Sequence, residues 1–172
     1  MAAGSAAADD PERVAARAVH MMGPDAERAW TRDDALAWEG MLELGRRLRR
    51  HAEDILTRDD DLSVGMLGIL GRLVRATDMT LRPTALAAAT GLSVSRVSRI
   101  VDTLERRGLV ECHACTIDAR ATDITVTPLG RDRTAAAQHR LFAFVDESFA
   151  GRLSPDETAT LARVFARLLR DP

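Results

Sequence analysis

Between Ser93 and Thr103 the chain sets short hydroxyls and guanidinium groups at helical spacing. They are Ser93, Ser95, Arg96, Ser98, Arg99 and Thr103, with no acid before Asp102. Arg96, Arg99 and Thr103 lie three and four apart and therefore share one face of a helix. Hydroxyls of this size bond phosphate or base edges, and an Arg fork bonds guanine bidentately. The combination suits a surface read against double-stranded DNA. Arg120 adds a guanidinium at the tip of a polar stretch from Ile117 to Ala121, where a narrow minor groove would attract it. Asp118 is placed to hold that guanidinium through a charge-assisted bond. Arg82 and Thr84 supply further phosphate partners.

Two other groups of residues invite chemical readings. Cys112, His113 and Cys115 combine CxxC spacing with a histidine. A zinc site needs about four ligands, so these three would need a fourth from elsewhere. Alternatively, the two thiols could oxidise and distort their strand, or be incidental. Arg47 and His51, four apart on one helix with Trp38 on the adjoining apolar stripe, could form a pocket for a carboxylate ligand, although a solvated face explains the pair as simply. No Ser-His-Asp or paired-carboxylate arrangement stands out and four scattered His offer no clear base, so the chain is not read as an enzyme. No cofactor is implied.

The elements that must position these groups can be read from periodicity and punctuation. Pro83 suits a first helical turn, and the helix Thr84–Thr90 stops at Gly91. Ser93 caps a second helix, about Val94 to Arg107, that buries Val97, Ile100, Val101 and Leu104 and stops at Gly108. The period then changes to alternation: Leu109–Cys112 and Thr122–Thr127 read as two strands of a hairpin. Helix, short glycine turn, helix and hairpin make a winged helix-turn-helix. Upstream, Thr31 with Asp34 fits an acidic capping box opening a long helix. Its stripe (Trp38, Met41, Leu42, Gly45, Leu48, Ala52, Ile55) opposes Arg46, Arg47, Arg49 and Arg50. That helix overshoots what a small domain needs. The run Asp59-Asp60-Asp61 ends it. A second helix, roughly Ser63 to Ala76, follows, with Gly65, Gly68 and Gly71 read as sites of close helix packing. A short helix is expected from Arg13 to Met22.

In order and at the right spacing, residues 84–130 resemble the winged helix-turn-helix of the multiple antibiotic resistance regulator (MarR) family. The resemblance rests on Leu86-Ala87, Gly91-Leu92-Ser93, Ser95, Val97-Ser98-Arg99, Val101-Asp102 and Leu104-Glu105-Arg106-Arg107-Gly108-Leu109-Val110-Glu111. It continues through Asp118-x-Arg120 and Thr127-Pro128-Leu129-Gly130. Leu153-Ser154-Pro155-Asp156-Glu157 is similar to the start of the family's last helix. In all, about residues 35–170 are covered. One departure is Cys112, where the family often carries a basic residue.

The resemblance implies a mainly α fold with a small β-hairpin wing. It implies a homodimer interlocked through N- and C-terminal dimerisation helices, its two winged domains straddling a pseudo-palindromic operator. It also implies a repressor, relieved in many members by a small anionic or aromatic ligand. It offers a partner to the surplus stripe of the long helix, to Leu141, Phe144, Val145 and Phe149, and to Leu161, Val164, Phe165, Leu168 and Leu169. The expected organisation is a flexible extension (1–30), dimerisation helices (31–60 and 134–172) and a DNA-binding domain (61–133). The alternatives are a thiol- or zinc-responsive regulator sensing through Cys112 and Cys115, and a winged module that binds protein instead of DNA.

Composition sets the outer bounds. The 172 residues suggest one domain or one domain plus an appendage, and carry 24 basic and 26 acidic side chains. Every basic residue other than His is Arg; Lys, Asn and Tyr are absent. A net charge of −2 excludes a polycationic coat, and 46% apolar content excludes wholesale disorder. Charge is uneven: residues 1–80 hold 11 Arg against 15 acids, and residues 81–133 hold 8 Arg against 6. An anionic partner is therefore sought in the middle third. Neither a membrane span nor a secretory leader is legible, and the two Cys are read as thiols in a reducing cytoplasm.

Overall fold

The long N-terminal helix begins where a side chain takes over the first orphan amides. In the computed structural model, which describes residues 30–114 and 122–170, Thr31 Oγ1 accepts from the Asp34 amide at 3.1 Å. The Asp34 carboxylate in turn accepts from the Thr31 amide at 3.0 Å. This reciprocal cap starts α1 (Arg32–Asp60). The expected Arg13–Met22 helix lies outside the described residues. The chain forms two compact units, residues 1–51 and 52–172. In the first, Ala35 is buried against Trp30 and Leu36, and Trp30 and Trp38 meet edge to face with ring centroids 6.4 Å apart. Trp38, Met41, Leu42 and Leu44 are exposed.

The second unit has one core. Leu56 from the end of α1 joins Leu67, Ile69, Leu70 and Leu73 of α2 (Val64–Arg75). Leu86 and Ala87 come from α3 (Pro83–Thr90), and Val97, Val101 and Leu104 from α4 (Val94–Arg106). Ile124 and Val126 complete it from the sheet, with Ala137 from α5 (Pro128–Ser148). α2 is capped twice: Ser63 Oγ accepts from the Met66 amide at 3.1 Å, and Glu53 accepts from the Val64 amide at 3.0 Å. Gly91, at φ +69°, ends α3 in the left-handed region that favours glycine. Of the three α2 glycines, Gly71 meets Gln138 closely and Gly65 meets Ile100, whereas Gly68 faces open space. The packing reading therefore fails at Gly68.

The sheet has three antiparallel strands in the order β1 (Thr80–Leu81), β3 (Thr122–Val126), β2 (Val110–Ala114). β1 escapes a sequence reading because two residues carry no period; it exists through its pairing, with the Thr80 and Thr125 hydroxyls 2.8 Å apart. β2 extends past Cys112 to Ala114. Past the wing, Pro128 and the Thr127 cap start α5. α6 (Pro155–Leu168) follows with a complete Ser154–Glu157 capping box. None of the residues of α6 is buried within the chain, and Phe142, Phe165, Leu168 and Leu169 are exposed large apolar groups.

The exit from the wing allows no side chain at Gly130. A Cβ there would lie 2.0 Å from the Leu109 carbonyl oxygen and 2.8 Å from Val126 Cγ2. The Leu109 carbonyl cannot retreat, because it accepts the Thr127 amide at 3.1 Å. Gly130→Ala is therefore expected to destabilise the fold by about 3 kcal/mol, read as a lower urea midpoint in equilibrium unfolding; an unchanged midpoint would contradict this packing.

Candidate nucleic-acid interface

Ser93 Oγ accepts from the Arg96 amide at 3.3 Å, fixing the first turn of α4. With Val97, Val101 and Leu104 facing the core, Ser95, Arg96, Ser98 and Arg99 are exposed and Thr103 is half-buried. A shallow groove is lined by Ser93, Ser95, Arg96, Arg99, Thr103 and Met66. The hydroxyls are less available than sequence suggests. Ser98 donates to the Val94 carbonyl at 3.1 Å. Thr103 donates to the Arg99 carbonyl at 3.0 Å and accepts from Arg106 Nη2 at 3.2 Å. Ser93 and Ser95 share a bond at 3.2 Å. Ser98 and Thr103 retain lone pairs but have turned their donors inward, and the Ser93–Ser95 bond uses one of those two hydroxyl protons. The charged donors left facing solvent are the guanidinium groups of Arg96 and Arg99, which form no ion pair among the described residues.

Arg82, the N-cap of α3, lies 3.6 Å from the Asp123 carboxylate on β3, so it braces the wing as well as facing outward; Thr84 is exposed in the first turn. The sequence reading missed this pairing because it spans two elements. A second brace is Glu105, whose carboxylate accepts from the Cys112 amide at 3.1 Å. Asp118, Arg120 and Cys115 lie outside the described residues.

Strand alternation separates Cys112 and His113, two of the three residues considered for a metal; Cys115 lies outside the described residues. Cys112 registers with the buried Ile124 and packs on the core. His113, one residue on, points the other way, its Nε2 3.3 Å from the Glu111 carboxylate. Among the described residues no group of three His, Cys, Asp or Glu is arranged to hold a metal. Burial, then the hydrogen bond with Glu105, pushes the Cys112 thiol up to about 11, away from the thiolate that oxidation and alkylation require.

The ligand-pocket trio also separates. Trp38 and Arg47 are nine residues apart on one helix, about 13 Å along its axis. Arg47 Nε donates to Glu43 at 2.7 Å. Hydrogen bonds from Arg47 and then Arg46 hold the Glu43 carboxyl down to about 2. His51 Nδ1 lies 3.2 Å from the Arg47 carbonyl. The three do not converge. An apolar cavity of about 370 Å³ lies instead between α2 and α5, lined by Leu67, Gly68, Leu141, Phe142 and Val145, with Arg75 and Gln138 as its polar groups.

Comparison with known proteins agrees with this arrangement. Residues 60–121 match the model of the MarR family. The chain is 30% identical over 135 residues, 74% of its length and 80% of the relative's, to a Thauera aromatica protein assigned to transcriptional regulation of the hcr operon. The chain belongs to the MarR family. Two solved MarR-family transcriptional regulators of Streptomyces coelicolor share the fold. Sco3205, crystallised in complex with DNA, is 25% identical with a TM-score of 0.78, over 86% of this chain and 94% of its own. AbsC is 27% identical with a TM-score of 0.75, over 84% and 99%. This MarR-family chain is thus a DNA-binding transcription regulator of winged-helix fold, not an enzyme. No helix among the described residues is long and apolar enough to cross a membrane.

The thiol environment makes its own forecast. In a Cys115→Ser chain at pH 8, Cys112 should alkylate about a hundredfold more slowly folded than unfolded, since the thiolate fraction falls about tenfold per pKa unit of elevation. Equal rates would remove the case for a protected thiol.

Proposed function

We propose that this MarR-family regulator acts as a homodimeric repressor of a pseudo-palindromic operator, released when a small ligand binds. The carrying observation is the pair Arg96 and Arg99, exposed on a helix face with no acid in its first turn. α4 enters the major groove with these two guanidinium groups as its base-edge or phosphate donors. Ser93, Ser95, Ser98 and Thr103 act as acceptors or short contacts, and Arg82 and Thr84 meet the flanking phosphates. Arg120, held by Asp118, takes the minor groove. The dimer is supported by α6, which buries none of its residues within the chain, and by the exposed stripe of α1. Residues 31–60 and 134–172 then form the dimer scaffold, and 61–133 the DNA-binding part. A two-fold pair of α4 helices suits half-sites about one DNA turn apart. AbsC and Sco3205, transcriptional regulators of the same fold, support the role.

Arg99→Ala should weaken binding to the protein's own upstream duplex about tenfold and lower the slope of log affinity against log salt by about one if the contact is to phosphate, or relax sequence preference at one base pair if it is to guanine. Fluorescence anisotropy across a salt series reads both. No change in affinity, slope or preference would sink the α4 assignment.

For the ligand, the cavity between α2 and α5 favours an apolar body with one acidic group. Arg75 forms no ion pair among the described residues, and Gln138 can add a hydrogen bond. A panel of aromatic carboxylates should include members that dissociate the DNA complex. Arg75→Ala should raise the concentration needed about tenfold, the weight of one charge-assisted bond, while leaving ligand-free DNA affinity intact. Equal sensitivity of both proteins would locate the ligand elsewhere.

A further inference from the structure

The run Asp59-Asp60-Asp61 ends α1, and each carboxylate has its own arginine. Asp59 pairs locally with Arg58 at 2.9 Å. The next two reach far along the sequence. Asp60, its side chain fully buried, receives both forks of Arg140 from α5, with Nε donating to Oδ2 at 3.0 Å and Nη2 donating to Oδ1. Asp61, one residue on, receives Arg107: Nη2 lies 3.0 Å from its carboxylate, and Nη1 donates to its carbonyl. Asp61 sits at φ +54°, a left-handed conformation uncommon for a residue with a side chain but one that Asp tolerates better than most. That turn sends the two neighbouring side chains to different partners. Leu62, buried, closes the corner by donating its amide to the Leu56 carbonyl at 3.0 Å.

Arg107 is the C-cap of α4. Its guanidinium ties the end of α4 to the α1–α2 corner, beside the core contacts of Val101 and Leu104. The N-terminal two turns of α4, 8 to 12 residues and about 12–18 Å away, carry Ser95, Arg96 and Arg99. The last turn of α4 also holds Glu105, which binds the wing amide of Cys112. One turn of helix therefore receives the corner on one side and the wing on the other.

We propose that Arg107 is a positioning residue for DNA binding. Through Asp61 it sets the angle at which α4 presents its N-terminal face, and Arg140 holds the same corner through Asp60. This inference rests on α4 being the DNA-reading helix. Arg107 is not assigned a DNA contact of its own: its fork is occupied by Asp61.

The test uses the full-length protein and its own upstream duplex, read by anisotropy over a salt series, with dimer mass and melting temperature checked for each variant. Arg107→Ala is expected to weaken binding about fivefold, the weight of a partly exposed ion pair acting through geometry, with the salt slope unchanged. Asp61→Ala should lose a similar factor, although it removes a negative charge and would otherwise favour DNA. The exchanged pair Asp61→Arg with Arg107→Asp restores the ion pair but not the bond to the residue 61 carbonyl, and sets Arg at φ +54°, so it should bind more tightly than Arg107→Ala without reaching wild-type affinity. If Arg107→Ala lowers the slope by about one and the exchange binds no better than Arg107→Ala, Arg107 is a phosphate contact and the positioning role is wrong. If Asp61→Ala tightens binding, the pairing is not needed and the role is wrong. Wild-type protein that binds no duplex would instead overturn the assignment of α4 itself. Arg107→Lys keeps the charge without the fork, and a folded, dimeric Arg107→Lys that still binds weakly would show that geometry, not charge, is at stake.

Discussion

A carboxylate fully out of water has to be matched, and Asp60 is matched by one group, the guanidinium of Arg140. Removing either partner would leave a buried or half-buried charge uncompensated, a far larger penalty than the net strength of the pair. That asymmetry gives the contact its structural weight. It joins residues 80 apart in sequence and fixes where α5 passes the end of α1. Hydrophobic packing between α2 and α5 is permissive by comparison, since it leaves an open cavity beside Gly68 and Phe142. A nondirectional interface tolerates sliding; a bidentate fork on a buried carboxylate does not.

Around this corner the winged part is held by a few directional contacts, each tying a different element to the next. Thr127 accepts the Gly130 amide while donating to the Gly108 carbonyl at 2.7 Å, so one hydroxyl locks the end of β3 to the turn after α4. Gly130 allows α5 to touch the Leu109 carbonyl, where any Cβ would collide. Arg82 reaches Asp123 and Glu105 reaches the Cys112 amide. The wing is thereby braced from α3 on one side and α4 on the other. The DNA readout proposed for α4 and the wing needs the two held in one geometry, and these contacts hold it with few buried charges.

The helices, their caps and the winged topology were legible in the sequence because they rest on local rules. Thr31, Ser93 and Ser154 cap where a short oxygen can reach the orphan amides, and Gly91 and Gly108 stop where φ turns positive. What was not legible shares a different property. Two-residue β1, the Asp60–Arg140 pair, the Arg82–Asp123 brace and the cavity between α2 and α5 all depend on residues far apart in the chain. No periodicity encodes such a meeting. The Asp run was read as a helix breaker, which is correct for Asp61, but its long-range partners were invisible. The trio Trp38, Arg47 and His51 failed for the converse reason: local spacing placed Arg47 and His51 on one face, while Glu43, a turn earlier, took the Arg47 guanidinium.

The absence of lysine makes the sorting of arginines the central electrostatic question. With 24 identical cations, residue type cannot separate a structural charge from one that meets a partner; only its neighbours can. Arg46 and Arg47 close on Glu43, Arg58 on Asp59, Arg107 on Asp61 and Arg140 on Asp60. These pairs cancel field locally and contribute little at a distance beyond one Debye length. Arg96 and Arg99 face solvent with no acid in the first turn of their helix, so their field is uncancelled where an anionic backbone would approach. A protein of net charge −2 can therefore still present a positive face, because Glu43, Asp59, Asp60 and Asp61 answer arginines of the frame and not those of α4. Acids in the first 80 residues do not oppose DNA binding in this arrangement. By engaging Arg46, Arg47, Arg58, Arg107 and Arg140 they leave Arg96 and Arg99, without an ion pair among the described residues, as cations on the face proposed to meet DNA.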